Sequence, residues 1–178
     1  RNETSLKYSR SAFQMMLENF SRVLESPDDL EARGQMLLGA AYAGTAIEHS
    51  MLGAAHSAAN PLTAHFDVIH GQAVGMMLPH VVRFNAADET IADGYAALVK
   101  DTAVASSNGT LSAEALAQAM EALLDTANLP RALAQCGVEE AQLETLSGEA
   151  AQQWTASFNP RDITAADFTG LYQKAFAS

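Results

Sequence analysis

Cysteine, positive charge and strand-like alternation are all scarce in this sequence. Its 178 residues include one cysteine, Cys136, which excludes an internal disulfide framework and fits a reducing compartment such as the cytoplasm. Lys and Arg number 10 against 21 Asp and Glu, for a net charge of −11. Such a chain repels a phosphate backbone, and no local basic patch offsets that, so no nucleic-acid partner is expected. The longest apolar run, Met36–Ile47, carries Gly and Thr and is shorter than the roughly 18 residues of a membrane span, so no membrane partner is expected either. The start at Arg1 lacks the basic-then-apolar pattern of a secretory signal. The triplets Asn2-Glu3-Thr4 and Asn108-Gly109-Thr110 fit the glycosylation pattern and are read as chance matches.

What is present is helical periodicity. With 48% apolar and 17% charged residues, the chain can bury a core, and no segment alternates long enough for a strand. Leu6, Phe13, Met16, Leu17, Phe20 and Leu24 share one face of a first helix, and Ser26-Pro27-Asp28 is expected to stop it and cap the next. A small-residue apolar stretch from Leu30 to about Ala59 is expected to break or bend near Thr45–Ser50. Its Gly34, Gly39, Gly44 and Gly53 allow close approach of other backbones or of a ligand. Asn60-Pro61 is expected to end that run, with a loop to His70-Gly71. A helix apolar nearly all round follows, kinked at Pro79. Amphipathic segments are expected over 88–104, 112–128, 138–158 and 164–176, with a polar loop over 106–110 and a capping box at Thr164–Asp167. The pattern predicts one all-α domain, a helical bundle.

The chemistry is concentrated in histidine. His49, His56, His65 and His70 fall within 22 positions, and His80 follows. Imidazole is both the commonest metal ligand and a general acid or base near neutral pH. Against a metal reading stands the ordinary one, in which a histidine in an apolar helix is a satisfied core residue. No His-x-x-x-His pair or short-spaced zinc motif is present.

The run from Gly53 through His56, Asn60-Pro61-Leu62 and His70-Gly71 to Leu78-Pro79-His80 and Arg83-Phe84-Asn85 resembles the C-terminal helical domain of the iron-dependent (group III) alcohol dehydrogenases. So does Asn159-Pro160-Arg161-Asp162-Ile163-Thr164 ahead of the last helix. The resemblance covers essentially all of residues 1–178. It implies a single C-terminal metal- and substrate-binding domain of the dehydroquinate synthase-like/iron-dependent alcohol dehydrogenase fold, whose N-terminal nucleotide-binding domain lies outside this sequence. It implies a divalent metal, iron(II) with zinc as the alternative, held by one aspartate and three histidines, of which two match His56 and His70. The 14-position spacing would put His56 at the end of one helix and His70 at the start of the next, with the 60–69 loop folding back between them. The other two ligands, an aspartate and a histidine four residues on, have no match here. Asp28 and Asp29 lack the following histidine, and the adjacent Glu48 and His49 point about 100° apart on a helix. His65 and His80 do not fall on ligand positions.

Many relatives carry histidine where this chain has Asn60. An amide can orient a ligand but cannot exchange a proton near neutral pH, so the relay would fall to water or His65, or Asn60 would only end a helix. The resemblance further implies reversible hydride transfer between an alcohol and NAD(P), with the metal as a Lewis acid that lowers the pKa of the alcohol. Small apolar residues over 47–55 would line the substrate pocket or pack between helices. No Gly-rich phosphate loop after a strand is present, so cofactor-binding residues are unassigned and the fragment alone is expected to be inactive; with only two matched imidazoles it is expected to bind metal weakly or not at all. A homo-oligomer is expected. The alternatives are a glycerol dehydrogenase, a maleylacetate reductase or a dehydroquinate synthase-like enzyme of related fold, and, from another class, a non-catalytic helical interaction domain.

Overall fold

A computed structural model describes residues 2–100, 102 and 111–177. The all-α expectation holds, with no strand among the described residues. The helices are α1 (Glu3–Glu25), α2 (Leu30–Ser50), α3 (Ala54–Phe66), α4 (His70–Asn85), α5 (Glu89–Val99), α6 (Ala113–Thr126), α7 (Leu143–Gln152) and α8 (Ala165–Phe176). Short 3₁₀ turns lie at Leu133–Cys136, Glu140–Gln142 and Trp154–Phe158. The described residues fall into two compact units, one of 2–51 with 98–100 and 102, the other of 52–97 with 111–177.

The first unit is an antiparallel hairpin of α1 and α2. Asn2 caps α1 by accepting the Ser5 N–H, and its Nδ2 donates to the His49 carbonyl at the far end of α2. Tyr8 and Tyr42 meet edge to face at 5.2 Å, and Arg22 reaches Asp29 at 2.8 Å. The buried residues are Ser5, Ala12 and Asn19 on α1 and Ala32, Gly39 and Ala46 on α2, each set at seven-residue spacing. Small side chains on this seam let the helices approach closely. A Cβ built on Gly39 would stand 2.7 Å from Met16 Cγ, whereas Gly34 and Gly44 face open space. The larger stripe expected to be buried lies beside the seam: Phe13, Met16, Leu17 and Phe20 are half-buried, and Leu6 and Leu24 are exposed. A two-helix hairpin covers only the line nearest its partner.

Two local expectations here need correction or sharpening. The cap of α2 is Asp29, which accepts the Ala32 N–H, and not the preceding Ser26-Pro27-Asp28. That N–H, with Arg22 beside it, holds the Asp29 carboxyl below its usual range. The expected break falls at residues 51–53, just past the expected place, where Met51 takes a positive φ of 65°.

The second unit carries the main core. Ala54, Ala58, Ala59 and Leu62 of α3, Met76 and Met77 of α4, Leu143, Leu146 and Ala150 of α7, and Phe168, Leu171 and Tyr172 of α8 are buried together. The Asn60-Pro61 expectation is overturned: α3 continues through both residues to Phe66 and ends at Asp67, in the left-handed region at φ 53°. Pro61 removes the bond its N–H would make to Ser57, at a cost of about 3 kcal/mol. Full burial of Ala58, Ala59 and Leu62 offsets that, since apolar burial outweighs a local bias. The 60–69 loop thereby shrinks to residues 67–69, and His56 sits in the first turn of α3 rather than at a helix end. Pro79 lies buried inside α4, which runs unbroken to Asn85.

The amphipathic 138–158 segment holds α7 and two 3₁₀ turns. Of the 88–104 segment, helix is found over Glu89–Val99; the expected 106–110 loop lies outside the described residues. Ser112 and Thr164 cap α6 and α8, the latter in the expected capping box with Asp167. Arg83 of α4 forks onto Glu114 of α6 at 2.7 and 2.8 Å and also reaches Glu121, while Arg131 bridges Glu121 and Asp125.

Candidate metal centre

Helix α3 is pinned along its length. Tyr172 donates its hydroxyl to the Ala58 carbonyl at 2.7 Å, and burial pushes that phenol well above its ordinary pKa. Ser57 and Thr155 share a buried hydroxyl contact at 2.8 Å, and Asn60 Nδ2 donates to Gln153 Oε1 at 2.9 Å. The first-turn N–H of Ala54 donates to Asn159 Oδ1 at 3.4 Å. These contacts fix which face of α3 carries His56 and Asn60, four residues apart and so on one side of the helix.

His56 is half-buried and His70, the first residue of α4, is exposed. Their rings lie with centroids 5.4 Å apart and planes tilted by 50°. Burial, and then the charge of His70, push the His56 imidazole below its ordinary pKa, which leaves its lone pair free at neutral pH. The donor chemistry fits part of a metal site: two imidazoles at this separation can share one ion, each binding through nitrogen at about 2.1 Å. No group of three or more His, Cys, Asp or Glu that could hold an ion occurs among the described residues. Two donors fall short of the three or four protein ligands that zinc sites use.

The remaining histidines stand elsewhere. His65 is exposed, with Nε2 2.7 Å from Glu149. His80 is buried, and desolvation drives it down to about 4. His49 lies exposed near the end of α2, in the first unit. Two residues with a place at the site were given no role by sequence reasoning: Gln153, the partner of Asn60, and Asn159, which reaches the start of α3. The Asn159-Pro160-Arg161 block was visible as a motif, but nothing in its spacing reveals that it returns to α3 and α4. Arg161 donates to the Phe84 carbonyl at 2.6 Å and stacks over the Phe84 ring at 4.0 Å, beyond reach of any local pattern.

Residues 4–176 match the family model of the C-terminal part of the Fe-containing alcohol dehydrogenase family. The chain belongs to this family. It is 28% identical over 167 residues to 1,3-propanediol dehydrogenase of Klebsiella pneumoniae, covering 93% of this chain and 43% of that protein. It is 30% identical over 150 residues to lactaldehyde reductase of Escherichia coli K12, covering 83% of this chain and 39% of that protein. Among solved structures, an alcohol dehydrogenase from Oenococcus oeni matches with a TM-score of 0.87 at 22% identity, over 98% of this chain and 46% of that one. This likeness establishes the fold. The chain spans less than half the length of these relatives. No helix among the described residues is long and apolar enough to cross a membrane.

Proposed function

We propose that residues 1–178 act as the metal- and substrate-binding domain of an oxidoreductase that interconverts alcohols and aldehydes or ketones with NAD(P), its nucleotide-binding domain lying outside this sequence. The observation that carries this reading is the ring-to-ring approach of His56 and His70 in a chain of the Fe-containing alcohol dehydrogenase family. On this reading, His56 and His70 supply two donors to iron(II) or zinc, and the missing donors come from outside this chain. The bound ion would supply Lewis-acid chemistry, polarising the substrate oxygen. His56 contributes a ring already neutral and already oriented by α3. Asn60, held by Gln153, can only donate or accept hydrogen bonds, so it orients a substrate or cofactor group while the proton travels through water or His65. The lone thiol fits a cytoplasmic setting, and a homo-oligomer with a small alcohol or aldehyde as substrate completes the reading.

The test is alcohol-dependent reduction of NAD⁺ or NADP⁺, assayed on the longer protein and on residues 1–178 alone. The longer protein should turn over, and His56→Ala and His70→Ala should each lower kcat/KM at least about 100-fold, because removing a ligand costs no less than removing its outer support. Residues 1–178 alone should show no turnover. Activity that survives both substitutions contradicts the proposal.

A further inference from the structure

Three polar partners of α3 come from one segment that runs alongside it in the opposite direction: Gln153 meets Asn60, Thr155 meets Ser57, and Asn159 meets Ala54. The last of these stands where a helix cap should. Gly53, the N-cap residue of α3, has no side chain to accept a first-turn N–H, and a Cβ there would stand 3.3 Å from Asn159 Oδ1. The same oxygen accepts from Asn85 Nδ2 at 3.3 Å, while Asn159 Nδ2 donates to Asn85 Oδ1 at 2.7 Å and to the Arg161 carbonyl at 2.7 Å. Asn85 is 2% exposed and also donates to the Tyr95 hydroxyl. The amide of Asn159 therefore joins the first turn of α3, which carries His56, to the last residue of α4.

We propose that Asn159 is a positioning residue for His56: it caps α3 from 105 positions away and holds the His56 ring against His70. A cap supplied by the helix's own chain would leave α3 free to shift with its own loop. A cap on a separate segment, tied to α4 through Asn85, sets α3 relative to the rest of the unit. The acceptor oxygen matters most, because orphan first-turn N–H groups are what a cap satisfies. The inference deepens the metal-site reading above and rests on it for its functional meaning, but neither readout below uses metal, cofactor or turnover.

The experiment is NMR on the isotope-labelled 178-residue chain, comparing amide exchange at Ala54 and the nuclear Overhauser contact between the His56 and His70 rings. Asn159→Ala should speed Ala54 exchange about five- to tenfold, the equivalent of one cap hydrogen bond, and weaken the ring contact. Asn159→Asp keeps the acceptor for the Ala54 N–H but sets a carboxylate oxygen against Asn85 Oδ1 and the Arg161 carbonyl, so it should retain the slow Ala54 exchange while weakening the ring contact. Tyr172→Phe removes another anchor of α3 and should lower the melting temperature while leaving the ring contact in place. Should Asn159→Ala fail to fold, Gly53→Ala displaces the same oxygen without removing it and should speed Ala54 exchange. Unchanged Ala54 exchange and ring contact in a folded Asn159→Ala chain, or in Gly53→Ala, overturn the proposal. So does the absence of the ring contact from the unsubstituted chain.

Discussion

His80 shows what burial does to a single ring. It is 7% exposed, and desolvation, with Arg83, Lys174 and Arg131 acting in the same direction against Glu121, lowers its pKa to about 4. The unfolded chain titrates near 6.5, so the folded state gains by holding this ring neutral. That stability is fully present above about pH 6.5 and is lost as pH falls toward 4, because only the unfolded chain takes up the proton. By about pH 5 the loss should reach roughly 2 kcal/mol. Denaturant unfolding at several pH values should show this slope in the native chain and a flatter one in His80→Gln. Asn60 offers the converse case, a residue proposed for the site that cannot titrate. Its alternative role as a helix terminator is gone, since α3 continues to Phe66. In the oxidoreductase proposed for this domain, Asn60→Ala should lower kcat/KM about tenfold, one hydrogen bond's worth, with no change in the shape of the pH profile. An unchanged rate would mean that Asn60 only packs. At this scale the sequence made the five histidines visible and matched His56 and His70 to ligand positions. It could not show Gln153 or Asn159, whose roles depend on contacts 93 and 105 positions away.

At the scale of elements, periodicity located most helices because each needs one apolar stripe, and that stripe is a local property. Thr164-Ala165-Ala166-Asp167 was legible as a cap for the same reason: all its hydrogen bonds lie within four residues. The failures came where tertiary burial overrode local bias. Pro61 should have ended α3, yet Leu62 beyond it is fully buried and keeps the helix going. In the hairpin, the long apolar side chains of α1 form the visible stripe, whereas small residues beside it form the buried seam. Two glycines of α2 separate these effects. Gly34 faces open space, so Gly34→Ala should stabilise the chain by about 0.5–1 kcal/mol through helix propensity alone. Gly39→Ala gains the same propensity but drives a Cβ into Met16, and overpacking of about 1–3 kcal/mol should leave it net destabilised. Thermal melts of the two variants should move in opposite directions; a rise in both would show that the seam is not tightly packed.

At the largest scale, these 178 residues match 39–43% of the length of two curated relatives and bring two imidazoles to one place. The fold class and family were legible because the Gly53–Asn85 and Asn159–Thr164 blocks set residue types at defined spacings. The proposed donors, His56 and His70, follow from the family resemblance and not from the spacing of the histidines alone. On the function proposed for this domain, His56 and His70 form part of a metal site and not a complete one. Calorimetric titration of Zn²⁺ into the 178-residue chain, with His56→Ala and His70→Ala beside it, tests this most directly. Binding should be weaker than about 1 μM and reduced by either substitution, because two donors give only part of the free energy of a full site. Tight one-to-one binding that is lost in His56→Ala would contradict it, as would weak binding that neither substitution changes.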